Sequence, residues 1–128
     1  MDQYIELYNN SDQTISTENV HIAILETEST PWFADEKEQY IYAKDVFRLP
    51  TRDLGPGESI LIARQAINHT IDAPLSLDLT VADYEVKAIN KPQNSLVEQL
   101  PHVYKAYPNI DWLNMVVGGG NQLVLFRY

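Results

Sequence analysis

Short apolar runs broken at regular intervals by turn residues dominate the sequence, and this pattern is typical of an all-β domain. In residues 4–8, Ile5 and Leu7 share one face and alternate with larger polar or aromatic side chains. That period of two is expected for a half-buried strand. Residues 9–12, Asn-Asn-Ser-Asp, end the run with side chains that favour turns. Strands separated by turn signals at this spacing predict a β-sandwich.

Four further runs predict strands, at 20–25, 40–49, 60–63 and 123–126. The run at 60–63 is apolar on both faces, which is typical of a central strand. It follows Leu54-Gly55-Pro56-Gly57, a tight turn in which proline fixes φ and glycine permits positive φ. Residues 113–117 and 123–126 flank Gly118-Gly119-Gly120-Asn121, and this arrangement predicts a hairpin.

One stretch, residues 94–107, has the spacing of a helix. Its apolar residues recur every three or four positions, and Asn94 or Ser95 could cap its start. Pro101 would remove a helical hydrogen bond from the middle of the stretch. The sequence therefore predicts a short helix or an irregular turn here.

Composition excludes several classes of function. The chain has 128 residues, no cysteine and a net charge of −9. Because duplex nucleic acid and anionic membranes repel such a chain, neither is an expected partner. Without cysteine the chain has no thiol nucleophile, disulfide or thiolate metal site. No run of about 18 apolar residues is present, so any membrane attachment would come from an anchor outside the segment.

Four segments in order resemble lamin-tail-like domains. They are Tyr4-Ile5-Glu6-Leu7-Tyr8-Asn9-Asn10-Ser11-Asp12, then Val20-His21-Ile22-Ala23-Ile24, then Phe47-Arg48-Leu49-Pro50 with Leu54-Gly55-Pro56-Gly57-Glu58-Ser59-Ile60-Leu61-Ile62-Ala63, and finally Gly118-Gly119-Gly120-Asn121-Gln122-Leu123-Val124-Leu125-Phe126. The resemblance implies an all-β, immunoglobulin-like sandwich over residues 1–128. It supplies no catalytic residues.

The resemblance departs at residues 64–117, which form a long insertion relative to that family. We expect this insertion to hold the short helical turn and to cover one sheet edge or one end. The phrase Asp78-Leu79-Thr80-Val81-Ala82-Asp83-Tyr84-Glu85 and the single Trp112 resemble a set of gut-bacterial surface lipoproteins. This implies an exported, surface-anchored or outer-membrane lipoprotein with an adjacent domain in the same chain. The abrupt strands at both ends agree with a fragment of a longer polypeptide.

Aromatic side chains are the leading candidates for ligand binding. Trp32 and Phe33 follow a proline in a polar stretch, where a large exposed ring would stack on a sugar or dock on a protein. A second patch in the insertion could contain Tyr84, Tyr104, Tyr107 and Trp112. In the alternative interpretation, Trp112 plugs one end of the sandwich and the tyrosines shield its rim.

Metal ligands and catalytic groups have weaker support. Asp72, Asp78, Asp83 and Glu85 are calcium candidates, but they lack the spacing of a dedicated calcium loop. The expected default is a solvated acidic face and no cofactor. The three histidines, at positions 21, 69 and 102, match no compact ligand motif. The glycine triplet lacks the Lys-Ser/Thr of a phosphate loop, and no Gly-x-Ser-x-Gly elbow exists.

Three hypotheses of function follow. The first is a non-catalytic module that binds protein or glycan. The second is a structural spacer that packs on a neighbouring domain. The third is a hydrolase that uses a carboxylate pair or calcium. All three depend on a sandwich in which Ile5, Ile22, Ile60 and Leu125 share one interior.

Overall fold

The computed structural model describes residues 3–25, 43–86, 93–105 and 123–128. These ranges contain ten strands and one short 3-10 helix at His69–Ile71. The strands are β1 (Tyr4–Tyr8), β2 (Ile15–Ser16), β3 (Val20–Leu25), β4 (Ala43–Arg48), β5 (Asp53–Leu54), β6 (Ser59–Ala63), β7 (Tyr84–Glu85), β8 (Glu98–Gln99), β9 (His102–Lys105) and β10 (Leu123–Arg127). The chain is nearly all β, as its turn spacing predicts.

Two four-stranded sheets account for most of these strands. The first has the order β1-β6-β7-β8, and the second has the order β10-β3-β4-β9. The strands β2 and β5 form a separate two-stranded sheet. The second sheet is antiparallel throughout, whereas β7 pairs in parallel with both β6 and β8. The predicted β-sandwich is confirmed as two sheets packed on each other.

The main core lies between the inner faces of the two sheets. Ile22 and Phe47 come from the second sheet, and Ile60 and Ile62 from the first; each is at most 3% exposed. Ile5 packs against this cluster while partly buried. Of the four residues predicted to share an interior, Leu125 differs, because 56% of its surface is exposed. It lies on β10, at the edge of its sheet among the described strands.

Turn residues act as the sequence predicts. The Asn9 side chain is buried and donates to the carbonyls of Gln13 and Leu54, at 2.8 and 2.9 Å. It therefore ends β1 and fastens the turn to β5. Gly57 has φ of +76°, a conformation that most other residues adopt only with strain. Replacing this glycine would strain the turn before β6.

The β6 strand is apolar on both faces because each face contacts a core. Its outward residues Leu61 and Ala63 pack in a second, smaller cluster with Ala66, Leu79 and Ala82. Residues 64–83 thus cover the outer face of the first sheet and return to pair in parallel with β6. Parallel pairing requires a long crossover of this kind.

The sequence predicts that the insertion 64–117 covers one sheet edge or one end. In the structure, its described residues are also part of both sheets. It supplies β7 and β8 to one sheet and β9 to the other. It also contains a 3-10 turn at His69–Ile71, which the sequence analysis did not predict, and there Asn68 caps the backbone N–H of Thr70.

Of the two alternatives predicted for 94–107, a short helix or an irregular turn, the described part of that stretch has a turn and no helix. A turn at 95–97 precedes β8, and β9 follows Pro101. Leu100 is buried in the main core, whereas Leu96 is 94% exposed, so the apolar spacing does not form one buried face. The backbone groups that would form helical hydrogen bonds pair instead with β7 and β4.

A fully buried carboxylate ties the crossover segments together. Both oxygens of Glu85 accept hydrogen bonds: from the backbone N–H of Ala66 at 2.6 Å, from the N–H of Asn94 at 3.1 and 3.2 Å, and from Gln99 Nε2 at 2.6 Å. All the donors are N–H groups, which suits an ionised carboxylate because it only accepts. Charge-assisted hydrogen bonds of this length are strong. Glu85 therefore holds the crossover at Ala66 and the segment 94–99 around β7.

His102 lies on β9 against the main core. Its ring centroid is 4.2 Å from that of Phe47, and Nε2 is 3.8 Å from Oδ1 of the buried Asp45. Burial, and secondarily the charge of Lys105, lower the pKa of His102 to about 4. The ring is therefore neutral near pH 7, and at 3.8 Å it forms no ion pair with Asp45. It serves as a packing group at the edge of the core.

Replacing Glu85 with glutamine should destabilise the fold by about 2–3 kcal/mol, because an amide N–H₂ would face donors that need an acceptor. Urea unfolding measures this change. Glu98→Gln is the matched control, since Glu98 is exposed on the neighbouring strand β8, and should cost less than about 0.5 kcal/mol. Equal effects of the two substitutions would contradict the role of Glu85.

Acid should weaken the fold through His102. Its folded pKa of about 4 is below the ordinary 6.5, so the unfolded chain binds the proton first as the pH falls. The stabilisation from a neutral His102 is complete above about pH 6.5 and is lost towards pH 4. Relative to His102→Gln, the wild type should lose about 1–2 kcal/mol between pH 7 and 4.5, less than the full shift because the ring is partly solvated. Carboxylates titrate in both proteins, so a pH-independent difference would refute this.

Candidate interaction surface

The edge strand β10 is exposed on both of its faces. Leu123, Val124, Leu125 and Phe126 are between 36% and 56% exposed, although all are apolar. Within the described part of the chain, β10 pairs only with β3. Natural sheets protect such edges with lysine, proline or bulges. The β10 strand has none of these, and none of the described strands pairs with its second edge.

The backbone N–H and C=O groups of successive β10 residues point alternately towards β3 and away from it. The N–H of Tyr128 donates to the carbonyl of Asn19 at 3.0 Å, in register with the β3–β10 ladder. Hydrogen-bonded pairs alternate in antiparallel ladders. Val124 and Phe126 therefore bond to β3, and the N–H and C=O groups of Leu123, Leu125 and Arg127 face the other edge, where no described strand lies.

A hollow of about 160 Å³ lies beneath this edge, between the two sheets. Leu125 of β10 and Leu7 of β1 line it, and Ile60 of the main core forms part of its wall. The first sheet also ends at β1 among the described strands. The two edges therefore meet at one side of the sandwich, and the core comes close to the surface between them.

More than half of the large apolar side chains that are exposed in the described ranges lie on this side. We call it the β1/β10 side and define it by Tyr4, Tyr8, Ile15, Leu123, Val124, Leu125, Phe126 and Tyr128. Tyr8, Ile15 and Leu125 of this set line the hollow together, and exposed apolar clusters mark interaction sites on soluble domains. The clustering makes this side the candidate site.

The outer face of the second sheet continues the apolar surface. Its cross-strand register places Val124, Ala23, Val46 and Tyr104 in one row. Val124 and Val46 also line a hollow of about 270 Å³ on this face. Beside the row, the ring of His21 stacks on Phe126 with centroids 5.2 Å apart. The β1/β10 side thus continues onto the outer face.

Charge is sparse on this side despite the acidity of the chain. The strands β1 and β10 carry one acid and one base, Glu6 and Arg127, which sum to zero. Arg127 donates to the carbonyls of Glu18 and Ser16, both at 3.0 Å, and Ser59 Oγ donates to Glu6 at 2.9 Å. Both charges are held by their own chain. The surface therefore suits an apolar partner.

The aromatic residues predicted to bind ligand do not form one patch in the described ranges. Trp32, Phe33, Tyr107 and Trp112 lie outside the described residues. The two described tyrosines of the predicted patch lie apart: Tyr104 is 51% exposed on β9, whereas Tyr84 is only 5% exposed and belongs to the main core.

The burial of Tyr84 corrects its placement on an exposed patch, and its register explains it. Tyr84 lies beside Ile62 in the parallel pair, on the inner face of the sheet. A hydrogen bond with the Tyr84 hydroxyl raises the pKa of the Arg52 guanidinium. Asp83 raises it further through a hydrogen bond and its charge. Tyr84 is therefore a core residue of the sandwich and not part of an exposed patch.

The four calcium candidates do not converge. Asp72 follows the 3-10 helix and is exposed, and Asp78 accepts from the N–H of Thr80 at 3.1 Å. Hydrogen bonds from Thr80 lower the pKa of Asp78. Asp83 accepts from the N–H of Leu61 at 2.8 Å and pairs with Arg52 at 3.3 Å. Glu85 is enclosed by its own donors, as described above.

The described ranges contain no group of three or more histidine or carboxylate side chains placed to hold a metal ion. The histidines have local roles. His21 Nδ1 contacts the carbonyl of Asn19 at 2.9 Å, and His69 Nε2 contacts that of Gln65 at 3.1 Å. With His102 packed on Phe47, the three rings lie in separate surroundings. The glycine triplet and residues 113–117 of the predicted hairpin lie outside the described residues.

Sequence reasoning predicted β1 and β10 but not β2, which carries Ile15, and it missed the surface itself. The signal was present in β10, whose apolar residues do not alternate with polar ones. Such a run is typical of a strand covered on both faces, and here it lies at an edge. Sequence alone does not reveal which strand is the edge strand, because pairing order is set by topology.

None of the described helical structure is long and apolar enough to cross a membrane.

Comparisons with known proteins give one family and one solved relative. No curated protein matches the sequence. The crystal structure of a DUF4876 family protein from Bacteroides thetaiotaomicron superposes with a TM-score of 0.77 at 26% sequence identity. The match covers 99% of this chain and 37% of the other, so the chain spans just over a third of that protein's length.

The family model described as "Protein of unknown function (DUF4876)" matches residues 55–128, which is more than half of the chain. The matched region begins at the turn before β6 and includes the crossover, β7 to β9 and the edge strand β10. On this evidence the chain belongs to the DUF4876 family.

Proposed function

We propose that this domain is a non-catalytic interaction module that docks a protein surface through the β1/β10 side. The observation that carries the proposal is the exposed, apolar edge strand β10 above a hollow that reaches Ile60 of the core. A partner strand at this edge would gain main-chain hydrogen bonds and bury apolar side chains at once. Both contributions favour a polypeptide as the ligand.

A glycan is a weaker candidate for this surface. Sugars need polar groups placed beside an aromatic ring. Aliphatic residues form seven of the twelve described lining positions of the hollow beneath β10, and Tyr8 is the one ring among them, beside Asn9, Ser16, Thr17 and Arg127. Tyr104 and the His21–Phe126 stack on the outer face are further described aromatic positions that a sugar could use. Trp32 and Phe33 stay candidates for ligand binding by their sequence context.

A neighbouring domain of the same polypeptide is the second candidate partner. The solved relative is much longer than this chain, and the match covers 37% of the relative. In such proteins a linked domain is present at high effective concentration, so a modest apolar surface is enough for docking. The structural spacer hypothesis is then a special case of docking through the same side.

The remaining parts of the proposal come from the sequence resemblance. An immunoglobulin-like sandwich of the lamin-tail type agrees with the two packed sheets, although the parallel pairs of β7 are an addition to an antiparallel plan. An exported, surface-anchored lipoprotein agrees with a family relative from Bacteroides thetaiotaomicron. A hydrolase is disfavoured, because Asp83 and Glu85 are already engaged by protein donors.

Amide hydrogen exchange tests the docking proposal without assuming a partner. The N–H groups of Leu123, Leu125 and Arg127 should exchange rapidly in the dilute 128-residue chain, since no strand in the described ranges pairs with their edge. In the complete gene product or at high protein concentration, they should exchange at least about tenfold more slowly. The N–H groups of Val124 and Phe126 are the internal control, because β3 protects them in every state. Equally fast exchange at the edge under all conditions would overturn the proposal.

Calcium should not stabilise the domain. Titration calorimetry with calcium chloride should give no binding heat, and the midpoint of thermal unfolding should stay within about 1 °C at millimolar calcium. The double substitution Asp78→Asn with Asp72→Asn serves as the matched comparison. Stabilisation by calcium that these substitutions abolish would favour the calcium-assisted hydrolase instead.

A further inference from the structure

Residues from all three of the described sheets line the hollow of about 160 Å³. Its floor consists of Leu49, Leu54 and Ile60, which are at most 6% exposed. Its rim includes Ile15 of β2 and Leu125 of β10, which are 40% and 56% exposed. These residues lie on strands or directly beside them, so the hollow is already formed in the unbound domain. Preformed apolar recesses with a few polar groups are typical ligand sites.

We propose that this hollow binds a carboxylate that carries one apolar group, about the size of a leucine or phenylalanine side chain. The apolar group fills the hollow, and the carboxylate lies at Arg127 on its rim. The proposal rests on the proposed function and deepens it, because it names the chemical group that the β1/β10 side binds. A carboxyl-terminal residue of a polypeptide and a free carboxylic acid share this chemistry.

The volume of the hollow sets the size of the apolar group. An apolar cavity of about 150 Å³ holds one benzene molecule, so the hollow of about 160 Å³ holds a single ring or one branched aliphatic group. Sites for drug-sized ligands are larger, roughly 300–1,000 Å³. Seven of the twelve described lining residues are aliphatic. Burial of one apolar group against them is therefore the favourable interaction inside the hollow.

The neutral polar side chains of the lining are largely engaged by their own chain. The Asn9 amide donates to two backbone carbonyls. Thr17 Oγ1 donates to a backbone carbonyl at 2.7 Å and accepts from the N–H of Arg52 at 2.8 Å. Ser16 Oγ accepts from a backbone N–H at 3.1 Å. A ligand with many hydroxyl groups would leave several of them without partners here, which is costly.

Arg127 is the one charged residue among the described residues of the lining, so the charge at the site is positive although the whole chain carries −9. Its two terminal nitrogens each donate to a backbone carbonyl, those of Glu18 and Ser16, at 3.0 Å. A guanidinium has five N–H groups, so three remain after these two bonds. In the part of the chain that the structure describes, no carboxylate pairs with Arg127. A cation fixed by neutral carbonyls favours an anion, and a guanidinium matches the geometry of a carboxylate.

A nuclear magnetic resonance titration of the 128-residue chain with isocaproate tests the proposal. This probe joins a carboxylate to a hydrocarbon tail that ends like a leucine side chain. Saturable shifts should appear at the methyl groups of Leu7, Ile15 and Leu125. Isocaproamide should bind at least about tenfold more weakly because it lacks the charge, and acetate should give no saturable shifts because it lacks the tail. Equal binding of the acid and its amide, or no shifts with either, would overturn the proposal.

Two substitutions with matched controls separate the apolar contact from the charge. Ile15→Phe fills the hollow from its rim and should weaken isocaproate binding at least about tenfold. Ile71→Phe, at an exposed isoleucine of the 3-10 helix, should leave it unchanged. Arg127→Gln should remove the preference for the acid over the amide, whereas Arg48→Gln on β4 should keep it. Circular dichroism checks that each variant is folded. Binding that tolerates both Ile15→Phe and Arg127→Gln would contradict the proposal.

An acetylated Gly-Gly-Leu tripeptide with a free carboxyl terminus distinguishes the two sources of the ligand. Tighter binding than isocaproate assigns the site to the carboxyl terminus of a polypeptide, and equal or weaker binding assigns it to a free acid; both results support the shared chemistry. If the probes bind but the β10 edge amides exchange fast in the complete gene product, the docking proposal fails and the site stands. If those amides are protected there and no probe binds, docking stands and the site is excluded.

Discussion

Face-to-face packing of two β-sheets is the constraint on which the rest of this structure depends. Phe47 and Ile22 from one sheet meet Ile60 and Ile62 from the other, and all are nearly inaccessible to water. Burying each such side chain contributes about 1.5–3 kcal/mol. The contact fixes which face of each strand is inner, and it thereby decides which residues are left for the surface. Every feature of the candidate site follows from that division.

The crossover between β6 and β7 adds a second level of organisation. It covers the outer face of β6 with a small apolar cluster and returns the chain in parallel. The carboxylate of Glu85 then joins Ala66 of the crossover to Asn94 and Gln99 of the segment 94–99. A buried charge is tolerated only when donors surround it. The crossover is therefore held by polar bonds beside its small apolar cluster, and Asp83 and Glu85 serve the fold.

The opposite side of the sandwich lacks such a covering element in the described ranges. There β1 and β10 end their sheets side by side, and Leu125 lies above a hollow that reaches the core. An apolar strand left exposed at an edge is a hazard for a free domain, because other strands pair with it. In a domain that docks through this edge, the same exposure is useful. The function we propose accounts for a feature that stability alone would select against.

Local sequence determined much of this protein. Alternation in residues 4–8, the turn at Leu54–Gly57 and the two-faced apolar run of β6 each depend on neighbours in the chain, so they are readable without coordinates. Tertiary structure decided the rest. The spacing of Leu96, Leu100 and Val103 suits a helix, but pairing with β7 and β4 draws the segment into strands. Likewise, Tyr84 is buried and Leu125 exposed because strand order, which depends on partners far apart in sequence, places one beside Ile62 and the other at an edge.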